Sequence, residues 1–138
     1  YWFTCGGGQT MGRIHGVGTD ILELNRVERI LAREQSERFL QRILTRSELE
    51  LFRKNGRASF AGGRFAAKEA VVKALGTGIG KQVGFLDIEI LPDPNGRPNC
   101  ELSVQAKERL RLDNPVIHLS ISHSQSYVTA MAVVELLK

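Results

Sequence analysis

Residues 62–76, Gly-Gly-Arg-Phe-Ala-Ala-Lys-Glu-Ala-Val-Val-Lys-Ala-Leu-Gly, constrain the fold more than any other stretch. After the paired glycines, Ala, Leu, Lys and Glu dominate, which predicts a helix, and Gly76 stands where a glycine cap would end it. On that helix Glu69 and Lys73 lie one turn apart on one face, with Lys68 on the adjacent flank. Alanines at 66, 67, 70 and 74 let another backbone or a ligand come close. A carboxylate and two ammonium groups beside small residues suit a metal ion and phosphate oxygens. A solvated Glu–Lys pair worth about 0.3–0.5 kcal/mol has the same spacing, so the helix alone leaves both readings open.

Ile14-His15-Gly16-Val17-Gly18-Thr19-Asp20-Ile21 is a short β-prone run with an acid at its end. Glycine inside a strand marks a bulge or a close backbone approach. Asp20 is then placed to reach a ligand at the strand's end. Alternatively it caps a helix beginning near Leu22, with Glu23 three residues on completing a capping-box-like pair.

Together these segments resemble the phosphopantetheinyl transferases, and within them the small bacterial holo-acyl-carrier-protein synthase type. Gly18-Thr19-Asp20 matches the superfamily's Gly-x-Asp element. Phe65-Ala66-Ala67-Lys68-Glu69-Ala70-Val71-Val72-Lys73 matches its aromatic-x-x-Lys-Glu-x-x-x-Lys element. The likeness continues through Phe39–Thr45, Gly76–Gly80 and Ser120–Ser124, and so covers nearly everything from Ile14 onward. It implies an α+β fold, a single small domain whose antiparallel sheet packs against helices. It also implies transfer of 4′-phosphopantetheine from coenzyme A to a serine of apo acyl carrier protein, in support of fatty acid biosynthesis, with release of adenosine 3′,5′-bisphosphate. On that pattern Asp20 and Glu69 hold Mg²⁺, and Glu69 and Lys73 are catalytic. Arg64, Lys68, Lys73, Gly76, Thr77, Gly78 and His123 bind coenzyme A. Arg26, Phe39 and Arg42 dock the carrier protein. A chain about half the length of the two-lobed superfamily members is expected to complete its cleft as a homotrimer, using the final strands with His118, Ser120 and Ser122.

A chain of 138 residues is long enough for one core and one domain. Residues 1–10 read as a tag or extension outside the fold, leaving residues 11–138 as the domain. Cys100 is then the domain's one cysteine, which points to a reducing cytoplasm rather than a disulfide framework. No apolar run reaches the ~18–20 residues that cross a membrane. Val27, Ile30 and Leu31 predict one helix, and Phe39, Leu40, Ile43 and Leu44 a second. Thr45-Arg46-Ser47-Glu48 is a capping box for a third. Beyond Gly80 the period changes to two, with strands expected at 85–90, 117–121 and 127–134, a turn at 92–98, and a helix from Ser103 to about Leu112.

The glycine run 76–80 follows a helix and lacks a Gly-Lys-Ser/Thr ending, so it is neither a Walker loop nor a dinucleotide fingerprint. Its backbone offers a phosphate nest, or else simply a cap and turn. Nine of the thirteen arginines fall between residues 26 and 64, against a net charge of only +4. Interleaved with Glu28, Glu34, Glu37 and Glu48, they form either a solvated basic face or a docking surface for an acidic macromolecule. An acidic carrier protein fits that surface. Nucleic acid is the rival, but stacking aromatics, helix-turn-helix spacing and a lysine-rich tail are all missing. A metal-dependent phosphodiesterase, the third reading, usually offers more than two acids.

Overall fold

The computed structural model describes residues 12–137; the expectation for residues 1–10 lies outside them. Strand β1 (Arg13–Glu23) leads into helices α1 (Leu24–Leu31), α2 (Ser36–Ile43), α3 (Arg46–Asn55) and α4 (Ala58–Leu75). A 3-10 turn (Phe85–Asp87), the hairpin β2 (Ile88–Pro92) and β3 (Pro98–Leu102), helix α5 (Val104–Leu110), and strands β4 (Pro115–His123) and β5 (Tyr127–Leu136) complete the chain. β1, β5 and β4 form a three-stranded antiparallel sheet in that order, and β2–β3 form a second, two-stranded one. The α+β reading holds. The run 85–90 begins as a 3-10 turn instead of a strand because Asp87 turns back to accept the Gly84 N–H at 2.9 Å.

Helix α4 lies across the inner face of the larger sheet. That face is small: Gly16 and Gly18 on β1, Val128, Ala130, Ala132 and Val134 on β5. Ala66, Ala67, Ala70, Val71 and Ala74 meet it from the helix, all essentially buried. A helix apolar around most of its circumference must be covered on most sides. The remaining sides are taken by β2–β3 and by a second core of Val27, Leu40, Ile43, Leu44, Phe52 and Ala61 under α1–α3.

Two boundaries differ from those read in the sequence. Helix α4 starts at Ala58 and carries Gly62 and Gly63 inside it. A side chain at 62 would press within 3.2 Å of Leu24 Cδ2, so the glycines let neighbouring elements close in. Gly76 does end the helix in the left-handed region, at φ 83°. Asp20 is not a helix cap: β1 continues to Glu23, paired with Tyr127, and helix α1 begins only at Leu24. The first α1 amide is satisfied from elsewhere, the Leu24 N–H donating to Ser126 O at 2.8 Å. The Thr45–Glu48 capping box forms as expected.

The contact between β1 and α4 is backbone against backbone. A Cβ at Gly16 would collide with the Ala74 carbonyl. One at Gly18 would collide with the Ala70 carbonyl and stand 2.8 Å from Ala74 N. Because neither obstacle is a flexible side-chain end, Gly18→Ala is expected to destabilise the fold by at least about 1–3 kcal/mol, as overpacking does. Urea unfolding tests this: the midpoint should fall with an unchanged slope. An unshifted midpoint would mean that β1 moves away from the helix at no cost.

Candidate active site

Strand alternation turns Asp20 inward and leaves Thr19 and Ile21 outward, so the Asp20 carboxylate faces α4. Glu69 and Lys73 project from the same region of that helix. The Lys73 ammonium donates to Asp20 Oδ1 at 3.0 Å and to the Thr19 carbonyl at 2.8 Å. Glu69 is half-buried. Its pKa is raised above the ordinary carboxylate value, first by loss of solvent and then by the nearby Asp20 carboxylate, with Lys73 opposing. The two acids therefore sense one another across the β1–α4 seam, and two hard-oxygen groups sharing one space suit a small divalent cation. Among the described residues no group of three or more candidate ligands gathers, so water or substrate oxygens would complete any shell.

Asp20 stands between two clefts. One, of about 500 Å³, opens on the outer sheet face and holds Lys73 with the hydroxyls of Thr19, Ser120, Ser122 and Thr129. The other, of about 340 Å³, holds Glu69 and runs along Phe65 and Phe39 to Ile30 and Arg26. Phe39, Phe65 and Phe85 form a stacked ladder, with centroids 6.3 and 5.5 Å apart, whose first two rings line this second cleft. Arg26, Arg29 and Arg33 surround Ile30 just beyond it. Arg42 lies one turn past Phe39 on α2, exposed but outside the cleft. Arg64 and His123 share a separate cleft of about 380 Å³ with Asn55, Arg57 and Phe60.

Two expectations for ligand groups fail. Lys68 is fully buried and offers nothing to coenzyme A. Its ammonium donates to Glu48 Oε1 at 2.6 Å, Ile43 O at 2.7 Å and Phe85 O at 3.0 Å, using every proton it has. The neighbouring Glu69 points elsewhere because successive helical residues are rotated by about 100°. The same pair removes Glu48 from the solvated basic face. The phosphate nest at Gly76, Thr77 and Gly78 also fails. All three amides turn back onto the Val72 carbonyl, at 3.0, 3.1 and 3.3 Å. They close the end of α4 and face no ligand. The cap-and-turn alternative is the observed one.

Glu48 is the residue that sequence reasoning underused. Its capping role was legible from Thr45, but nothing local to 45–48 showed a lysine twenty residues later completing a buried pair. Phe65 and Ile30 line the second cleft, where the sequence alone shows only a motif aromatic and a stripe member.

This fold and site define a class. The chain belongs to the 4′-phosphopantetheinyl transferase superfamily, whose profile matches residues 16–132, and within it to the holo-acyl-carrier-protein synthases. A holo-[acyl-carrier-protein] synthase of Oceanobacillus iheyensis is 48% identical over 125 residues, covering 88% of this chain and 97% of that protein. That of Bacillus subtilis is 45% identical over 128 residues, covering 88% and 96%. The crystal structure of the Bacillus anthracis synthase in complex with CoA (3′,5′-ADP) aligns at TM-score 0.76 and 43% identity, over 89% of this chain and 97% of that one.

The raised Glu69 pKa carries a sign that can be checked in metal-free protein. A carboxyl whose folded pKa lies above its unfolded value favours the fold most at low pH. That contribution is lost as pH climbs from near the ordinary value of 4.5 through the raised one. Glu69→Gln does not titrate. Its melting temperature should therefore exceed that of the parent at pH 7, with the gap closing toward pH 4. A gap independent of pH would remove Asp20–Glu69 repulsion as its cause.

Proposed function

We propose that the chain moves the 4′-phosphopantetheine group of coenzyme A onto a serine hydroxyl of apo acyl carrier protein, releasing adenosine 3′,5′-bisphosphate, in support of fatty acid biosynthesis. The observation that carries this reading is the convergence of Asp20, Glu69 and Lys73 at the junction of a hydroxyl-lined cleft and an arginine-rimmed apolar one. The reaction forms a bond from serine Oγ to the pantetheine-side phosphorus and breaks the bridging P–O bond. The serine proton leaves, and the adenosine 5′-phosphate takes the electron pair. Of this chain's groups, Glu69 is a carboxylate at the seam that can accept that proton, directly or by way of a water. Lys73 is half-exposed and held by a salt bridge of a kind worth about 0–1 kcal/mol. It can swing to the pyrophosphate and neutralise charge as it builds on the leaving oxygens. Asp20 and Glu69 would hold Mg²⁺, which prefers oxygen ligands and retains waters, and it would supply charge for the pyrophosphate oxygens.

Arg64 and His123 would take the nucleotide end of coenzyme A, and Arg26 with Phe39 and Arg42 the acidic carrier protein. The outer sheet face suits assembly. Val17, Ile21, Tyr127 and Met131 leave 46–64% of their surface exposed there, among His118, Ser120 and Ser122. A homotrimer built on this face would bring a neighbour against the Lys73 cleft and complete it. Cys100, the one cysteine among the described residues, is buried and unpaired, which accords with a cytoplasmic setting, and no helix among those residues is long and apolar enough to cross a membrane.

Intact mass of apo carrier protein after incubation with this chain, coenzyme A and Mg²⁺ should rise by one phosphopantetheine group. Asp20→Ala should abolish the gain. Arg26→Glu should raise the KM for carrier protein by about tenfold while that for coenzyme A stays put. Salt-sensitive DNA binding with no mass gain would favour the nucleic-acid reading.

Light scattering should give three chain masses for the active parent. Val17→Asp, a charge on the exposed apolar face, should shift the mass toward one chain and lower activity with it. A fully active monomer rejects the shared site.

A further inference from the structure

Ile90 on β2 is held at both of its backbone polar groups, which belong to the two successive peptide units on either side of its Cα. Its N–H donates to Glu48 Oε2 at 2.8 Å, and its carbonyl accepts from Arg64 Nε at 3.2 Å. In an antiparallel ladder the N–H and C=O of one residue point the same way. Ile90 pairs with Cys100 yet sends both groups elsewhere, so it presents them from the hairpin edge turned toward α3 and α4. Glu48 cannot drift, because its other oxygen accepts from Lys68 Nζ at 2.6 Å and from Thr45 N at 2.8 Å.

At the far end of this chain of bonds, the Arg64 guanidinium lies over the Phe60 ring, 4.2 Å from its centroid. Its Nε is spent on Ile90. Among the described residues its two terminal nitrogens make no hydrogen bond, and the side chain lines the cleft that holds His123 and Arg57. A guanidinium tethered at Nε and stacked on one face keeps a paired N–H edge free, the edge that matches phosphate geometry. Burial lowers the Arg64 pKa and the Glu48 charge opposes that shift, so the two groups attract across the Ile90 strand edge.

We propose that Glu48 is a positioning residue for the nucleotide end of the coenzyme A site: through the backbone of Ile90 it holds Arg64 in the orientation that aims its free N–H edge at phosphate oxygens. The proposal rests on the reading of the Arg64–His123 cleft as part of that site. Without the Glu48 carboxylate the Ile90 N–H is a buried donor with no acceptor, and the strand edge must turn to find one. The carbonyl that fixes Arg64 Nε turns with it. Glutamine at 48 does not rescue this. Its carboxamide oxygen can still face Lys68 and Thr45, but its NH₂ then opposes the Ile90 N–H, donor against donor.

The test is a double-mutant cycle of Glu48→Gln and Arg64→Ala on the full chain, read as calorimetric binding of coenzyme A and, separately, of apo carrier protein. Each single variant should weaken coenzyme A by about tenfold, as loss of a supporting contact does. The double variant should bind within about twofold of Arg64→Ala, because Glu48 acts through that arginine. Carrier-protein affinity of Glu48→Gln should stay within about twofold, a split that a general loss of structure would not give. If Arg64→Ala binds coenzyme A as the parent does, the reading of the cleft itself is wrong. If Arg64→Ala is weak but Glu48→Gln is not, or if the two losses multiply, the positioning role is overturned. Should Glu48→Gln melt below the assay temperature, Glu48→Asp carries the same cycle. It keeps the charge opposite Lys68 while falling one methylene short of Ile90.

Discussion

An ammonium ion taken wholly out of water organises this protein. The effective penalty for burying such a charge is several kcal/mol, and removing one partner of a buried pair costs about 3–5 kcal/mol. Lys68 must therefore be met on every side, and the partners that meet it come from four segments: Ile43 at the end of α2, Glu48 in the first turn of α3, Phe85 in the 3-10 turn, and, through Glu48, Ile90 on β2. None of these contacts is local. Together they fix the smaller sheet and the early helices against α4, the one element that also carries Arg64, Glu69 and Lys73. Burial pushes the Lys68 pKa down, and the adjacent Glu48 charge holds against it. Cys100, in the same interior, has its thiol pushed up to about 12 and stays inert.

Much of this was legible in the residues. The capping box at Thr45, the glycine stop at 76, the turn at 92–98 and the strand at 117–121 each follow from local chemistry, and each formed. The pairing of Asp20 with the Glu69–Lys73 face followed from family resemblance, and the geometry brings these three together. The failure at Lys68 has a tertiary cause. Lys68 and Lys73 are the same residue on the same helix, five positions apart, and only the tertiary surroundings decide that one is entombed and the other half-exposed. The amides of 76–78 failed for a nearer reason. A helix end must satisfy its own carbonyls before glycines there can serve a ligand.

Function then depends on what the interior leaves free. Along α4, Lys68 turns toward Glu48 while Glu69 turns toward Asp20, so one Lys-Glu dipeptide supplies both an anchor and a chemical group. The anchor serves the fold, and the acid bears a raised pKa that stability alone would select against.

The abutment of Gly16 and Gly18 on the carbonyls of Ala74 and Ala70 reaches beyond stability. Where two elements are spaced by side chains, each core substitution alters their separation by a fraction of an ångström. Here the spacing is set by peptide groups in direct apposition, which no change of side chain elsewhere can thicken or thin. The strand bearing Asp20 and the helix bearing Glu69 thus behave like the jaws of a gauge closed against a hard stop. The surrounding hydrophobic residues are free to drift over generations, and the opening between the two carboxylates keeps its calibration.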